Sequence, residues 1–508
     1  MNLIVIAIYI GAMIGIGWYA KRRVKSETEF LVAGRRLGPL LYAGTMSAIV
    51  LGGASTIGGV GLGYQYGISG MWLVFSIGCG ILFLSLVFAA RINRLEVFTV
   101  SQMLELRYGP GASLLSGLVM CGYTLMLAVT STIAYGDIFG VLFGIGKVPA
   151  ILIGGGVVIL YSVLGGMWSI TLTDFVQFLI KSIGIFGILL PLVLIKAGGL
   201  QGLHDHLPET AFAAGHIGTR TIVTNFVIYF FGLVIGQDIW QRVFTARSEQ
   251  VAKWAGTAAG LYCLLYALAG AVIGMCAKVL LPNIANRDDV YAEIVRYALP
   301  VGLSGLVMAA ALSAIMSTSS GALIATATVA KEDIVRAILR RRLPLSDGVV
   351  HPPLSAQREH DEVRDSRWYI LGFGIAVVLI ACVLRDVVAA LTISYDILVG
   401  GLLVAIVGGI LWRRGTIAGA LTSIATGTIL TLATMVVMAD MYASEPVFIG
   451  LAGSLIAYIA VSLVSRRTDP AIQSQWDNRM SRERSEVADG VFTDGSATAD
   501  FALKSAPE

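Results

Sequence analysis

Residues 40–63 read LLYAGTMSAIVLGGASTIGGVGLG. The stretch has no charged residue and exceeds the ~20 apolar residues that a helix needs to cross a hydrocarbon layer. Its middle, Gly52-Gly53-Ala54-Ser55-Thr56-Ile57-Gly58-Gly59, holds four glycines, each weakening a helix by about 1 kcal/mol relative to alanine. A helix interrupted at membrane depth persists only where it is buried in protein or lines a cavity. The carbonyls freed by such a break are ready ligands for a cation. The segment therefore reads as a membrane-spanning helix with a break in it.

The rest of the chain agrees with a bilayer as solvent. Of 508 residues, 56% are hydrophobic and 13% charged, against about 45–50% and about 25% in a soluble domain; mean hydropathy is +0.81. Apolar runs recur near 2–20, 40–63, 69–90, 113–143, 148–167, 171–195, 221–240, 256–281, 301–330, 368–384, 387–411, 415–438 and 447–464. They predict an all-α polytopic protein with about thirteen spans. The first run lacks a basic leader and is followed by Lys21, Arg22 and Arg23, the wrong order for a cleaved signal and the right one for a first span. With the N-terminus outside, the interior loops hold Arg35, Arg36, Arg91, Arg94, Arg107, Arg242, Arg247, Arg413 and Arg414, while exterior loops are sparse in Lys and Arg. Residues 331–367 read as a basic interior loop, and 468–508 as a polar, largely disordered interior tail.

Composition excludes several functions. A net charge of +4 gives no basic surface for nucleic acid, and there is no Gly-Lys-Ser/Thr phosphate loop for ATP-driven pumping. The five histidines fall in predicted loops and the five cysteines inside apolar runs, so neither an enzyme centre nor a disulfide framework is expected, and no cofactor.

Two other spans carry polar groups. Residues 310–331 read AALSAIMSTSSGALIATATVAK, with Ser313, Ser317, Thr318, Ser319 and Ser320 mid-span. Ala314, Ser317 and Thr318 share one helical face. Such oxygens suit a hard monovalent cation, or they bond back to the helix and glue neighbours together. Asp174, near the start of a span, is a functional candidate or a cap at a helix N-terminus. Lys181 lies two turns deeper. It can anchor a substrate carboxylate, stand in for a cation, or pair with Asp174.

Together these features resemble the sodium/solute symporter family, which includes sodium/proline and sodium/glucose transporters. The resemblance covers about 2–465. It rests on GG-x-x-S-x-x-x-T-D-x-x-Q at 165–177, Ala-Ile-Met-Ser-Thr at 314–318, Gly-Gly-Ala-Ser at 52–55 and Gly-Gln-Asp-Ile-Trp-Gln-Arg at 236–242. It implies the leucine-transporter fold, two five-helix repeats of inverted topology at about 40–195 and 221–411. Residues 1–39 then form an extra N-terminal span and loop, 412–467 two C-terminal spans, and 468–508 the tail. It implies sodium-coupled uptake of a small organic solute across a bacterial plasma membrane. The first sodium site maps onto the carbonyls of Ala54, Ile57 and Ala314 and the hydroxyls of Ser317 and Thr318. A second, present in some members, maps onto Asp174, Ser317, Ser320 and Thr56. Gly321 replaces a hydroxyl or thiol of those members, which leaves the stoichiometry open. Ser55, Thr56, Phe230, Gln237 and Lys181 are the solute candidates. Lys181 leans toward an amino acid or monocarboxylate, whereas Leu127 and Asp238 depart from the proline carriers. Two alternatives stay open: a proton-coupled or sodium-independent carrier of the same fold, and a transporter-like sensor with a partner-binding tail.

Overall fold

The computed structural model describes residues 2–342, 356–384, 386–439 and 443–481. Its principal helices are α1 (Asn2–Lys21), α2 (Pro39–Val50), α3 (Ala54–Arg94), α4 (Ala112–Phe143), α5 (Lys147–Lys196), α6 (Thr219–Thr245), α7 (Glu249–Leu280), α8 (Leu303–Leu339), α9 (Ala356–Val383), α10 (Val387–Leu411), α11 (Ile417–Met438), α12 (Glu445–Val464) and α13 (Pro470–Ser481). Among the described residues there is no β-strand, only a single bridge between Leu37 and Ala246.

Eleven of these helices are long and apolar enough to cross a membrane, and α2 is a shorter apolar one. This is two fewer than the thirteen expected spans, and two of the eleven contain sharp turns. At 50 residues, a straight α5 would be about 75 Å long, more than twice the ~30 Å of a hydrocarbon core. It folds back at Gly166 (φ 52°, ψ −139°), a conformation open to glycine alone. An ideal Cβ on Gly17 of α1 would lie 2.8 Å from Tyr161 Cβ and 3.0 Å from Ser169 Oγ. In a straight helix those two residues would stand about 12 Å apart. In α3 the turn is at Gly67 (φ 64°), and a Cβ on Gly70 would meet the Gly63 nitrogen at 2.4 Å.

α8 is buried along its whole apolar length and packs between α4 and α5. α1, α11 and α12 expose most of their surface, as helices facing lipid would. The basic loops collect at one end. Arg35 donates to the carbonyls of Glu96 and Val97, Asn93 to those of Val243 and Ala246, and Arg107 to those of Gly409 and Trp412. At the same end Lys331 and Arg336 bind Glu27 and Glu362. The 331–367 segment is thus more helical than its composition suggests, with helix through Arg342 and again from Ala356. The tail also begins in order: α13 buries Trp476, and Arg94 donates to the Met480 carbonyl. The remaining tail, 482–508, lies outside the described residues.

Candidate functional site

The break between α2 and α3 is shorter and earlier than its glycines suggest. Leu51 leaves the helix (φ −101°, ψ 65°), and α3 restarts at Ala54 in a wide turn through Gly58. The last carbonyls of α2 therefore have no intrahelical donors, and they sit at the negative end of its dipole. α8 supplies partners. Ser317 Oγ donates to the Ala48 carbonyl at 2.8 Å and to its own Ala314 at 3.0 Å, and Thr318 Oγ1 donates to Ile49 at 2.5 Å. The fit depends on Gly52, where a Cβ would lie 2.6 Å from Thr318 Oγ1. Lys181 Nζ reaches the same break from α5, donating to Ala48 at 3.3 Å and to Leu51 at 3.1 Å.

The structure thus brings Ala314, Ser317, Thr318 and Lys181 together. The carbonyls they meet are Ala48, Ile49 and Leu51, which the sequence reading did not single out. Ala54 and Ile57 belong to the turn that follows, where the Ala54 carbonyl accepts the Gly59 N–H. The glycine run marks the break but not its phase, and the chain needs only Leu51 and Gly52 to leave the helix.

Asp174 is fully buried and takes hydrogen bonds on Oδ2 from Thr45 (2.5 Å) and from Arg242 in α6 (3.2 Å). Its Oδ1 has no hydrogen-bond partner among the described residues. Arg242 fills the space beside Gly321, where a Cβ would lie 2.7 Å from its Nη2. Of the other second-site residues, Ser320 Oγ donates to the Ser317 carbonyl at 3.2 Å, close to this cluster. Thr56 does not join it, because its hydroxyl pairs with Tyr266 at 2.8 Å.

α6 is broken as well, at Gly236 (φ −64°, ψ 132°), and a cavity of about 20 Å³ lies where the two broken helices meet. Gly52, Gly53, Ser55, Leu127, Thr130, Ser131, Asp238, Thr318 and Tyr395 line it. Its one acidic side chain is Asp238, at the start of the second half of α6, whose Oδ1 accepts from Tyr123 at 2.8 Å. Of the solute candidates Ser55 lies in this wall, whereas Phe230 and Gln237 do not line it. Phe230 packs among Phe83, Phe226 and Phe231. Gln237 clasps residues 98–100, donating to the Phe98 carbonyl and accepting from the Val100 N–H. Thr130 and Ser131 line the cavity without having been singled out from the sequence, although three consecutive hydroxyls stand at 130–132 within an apolar run.

A second cavity of about 810 Å³, lined by Tyr66, Arg220, Asn225, Tyr229, Asp386 and Glu445 among others, opens at the end away from the basic loops. Tyr229 separates the two. It lines the larger cavity, hydrogen-bonds Thr392 at 3.0 Å and meets Tyr395 edge-on at 5.6 Å. At the opposite end stand the Gln237 clasp and the Arg94–Glu249 ion pair. Among the described residues no group of three or more His, Cys, Asp or Glu could hold a metal ion. His204 stacks on Phe212, and His206 bonds the Gly202 carbonyl.

The model of the sodium:solute symporter family matches residues 30–427. The chain is 23% identical over 493 residues to the osmoregulated proline transporter OpuE of Bacillus subtilis, covering 92% of this chain and 95% of that one. It is 24% identical over 374 residues to the sodium/proline symporter of Escherichia coli, covering 67% and 71%. Among solved structures, a Na+-coupled sialic acid symporter in a substrate-bound outward-open state superposes with a TM-score of 0.74 at 19% identity, covering 92% of this chain and 98% of that one. The fold is therefore the leucine-transporter type.

Proposed function

The chain belongs to the sodium:solute symporter family, and from that footing we propose that it takes up a small amino acid or monocarboxylate, driven by sodium bound between the α2 end and α8. The supporting observation is that Ser317 and Thr318 present their hydroxyls to carbonyls with no helical donor. Hydroxyl and carbonyl oxygens are the ligands a hard cation prefers, and the end of the α2 dipole favours positive charge. Sodium there would tie α2 to α8, and an inward potential adds ~2.3 kcal/mol per charge per 100 mV. The Asp174 cluster, already balanced by Arg242, is the weaker candidate for a second ion.

The solute would enter between the breaks, near Ser55, Thr130, Ser131 and Asp238, where the cavity of about 20 Å³ has room for about one water and would have to widen. A solute carboxylate suits the N-terminal poles of the half-helices, and an amino group suits Asp238. Of the two solute classes an amino acid uses both. The large cavity faces outside in this reading, with Tyr229 shut between it and the inner cavity. The chain crosses the plasma membrane of a bacterium thirteen times, with its N-terminus outside and its tail in the cytoplasm. Residues 40–411 form the transporting core.

Purified protein in liposomes, offered labelled amino acids, short carboxylates and sugars with and without an inward sodium gradient, tests this reading. Sodium-dependent accumulation of an amino acid or a carboxylate is the expected result. Accumulation of the solute driven by a proton gradient and indifferent to sodium would replace it with the proton-coupled reading, which Lys181 at the break favours.

A further inference from the structure

The break at the α2 end already holds a basic side chain. Lys181 is fully buried, and its ammonium donates to Ala48 and Leu51. The Ala48 oxygen also accepts from Ser317. Asp174, seven residues earlier on the same helix, is occupied by Arg242 and Thr45. The remaining neighbours of the ammonium are aromatic and thiol: the Tyr266 ring, with its centroid at 5.8 Å, and Cys263. A buried charge needs compensation. Here the Asp174 carboxylate acts only from a distance, and the direct contacts are helix-end carbonyls. Those are the oxygens that would otherwise attract a free cation.

We propose that the Lys181 ammonium is a tethered cation occupying the coupling-ion position, so that sodium engages the Ser317 and Thr318 hydroxyls only by displacing it from the Ala48 and Leu51 carbonyls. The inference rests on the reading that the α2–α8 contact is the ion site. Two like charges cannot share oxygens this close in a buried site without strong repulsion. The lysine therefore lowers the sodium affinity of the native chain. In the ion's absence it also ties α5 to the broken helix, through the same Ala48 carbonyl that Ser317 of α8 holds. A lysine present only for packing would leave sodium affinity unchanged when replaced by an uncharged side chain of similar shape.

The test is equilibrium binding of radioactive sodium to purified full-length protein, paired with thermal unfolding in sodium against choline chloride. Native chain, Lys181→Met and Lys181→Gln are compared, with proteoliposome uptake alongside. The expected result is at least tenfold tighter sodium binding in either variant, with a sodium-dependent rise in unfolding temperature that the native chain lacks or shows weakly. Native protein that binds no sodium beside a variant that does would support the tethered cation and overturn sodium coupling in the native chain. Native protein that binds sodium beside folded variants that bind it no better would overturn the tethered cation and leave sodium symport intact. Sodium binding by neither would overturn both. Should Lys181→Met not fold, Lys181→Gln carries the same comparison. If neither variant folds unless sodium is present, the ion is replacing the missing ammonium, as expected. If neither folds with or without sodium, the ion cannot stand in for the lysine and the proposal falls.

Discussion

The Arg242 guanidinium lies 3.2 Å from the Asp174 carboxylate, with both side chains fully buried. The pair joins the second half of α6 to α5 across 68 residues of sequence. Removing one partner strands the other charge, at a cost of roughly 3–5 kcal/mol, whereas removing both does not. Arg242→Met should lower the unfolding temperature in detergent sharply, and adding Asp174→Asn to it should recover most of the loss. Equal stability of native protein and the single variant would mean the pair contributes nothing.

Ser317→Ala and Thr318→Ala each remove one hydroxyl from the α2–α8 contact. A hydrogen bond or ligand oxygen serving a charge is worth about 1.5–3 kcal/mol, and 1.4 kcal/mol is tenfold in affinity. The sodium concentration for half-maximal uptake should therefore rise about tenfold or more in each, with less change in maximal rate. Labelled-solute uptake titrated with sodium reads this directly. A fall in maximal rate with sodium dependence unchanged would place both hydroxyls in packing alone.

How far the sequence reaches is clear from these residues. The spans follow from composition, and the α8 hydroxyl face from helical periodicity, because both are local properties. The broken helix was legible as a break, but which carbonyls it frees depends on where one turn ends, and four glycines do not say. Tertiary partners were harder. Lys181 is two turns from Asp174, about 10 Å along a helix, too far to pair with it unaided. Gln237 and Phe230 sit in a motif-bearing segment, yet point to the 98–100 loop and an aromatic cluster. Side-chain direction around a helix break is set by what packs there.

Asp238 separates the two solute classes. It carries the one acidic side chain in the inner cavity and accepts from Tyr123. If the solute brings an amino group, Asp238→Asn removes its counter-charge, and KM should rise by about 10²-fold, in line with the roughly 2–5 kcal/mol cost of truncating a buried charge pair. Tyr123→Phe, which loses one hydrogen bond of about 1 kcal/mol, should raise KM only severalfold. A monocarboxylate would meet repulsion from Asp238, so Asp238→Asn should then improve its uptake. Competition assays with amines and carboxylates distinguish the cases.

Gly52 and Gly166 are both tight, but for different reasons, and their alanine variants should fail differently. Gly166 has φ 52° and ψ −139°, and an added Cβ would also lie 2.6 Å from the Phe30 carbonyl. Such backbone strain costs about 1–3 kcal/mol before the clash is counted, and it falls at the turn that lets α5 reverse. Gly166→Ala should therefore lower expression and unfolding temperature. At Gly52 the three atoms nearest an added Cβ all belong to the Thr318 side chain, the closest being Oγ1 at 2.6 Å. The threonine can rotate or α8 can shift slightly, so Gly52→Ala should fold with a modest loss of stability while sodium affinity falls about as far as in Thr318→Ala. Combining Gly52→Ala with Thr318→Ala should add little to either alone, because the second change removes the oxygen the first displaces. Additive losses in the double variant would show that Gly52 acts through something other than its contact with Thr318.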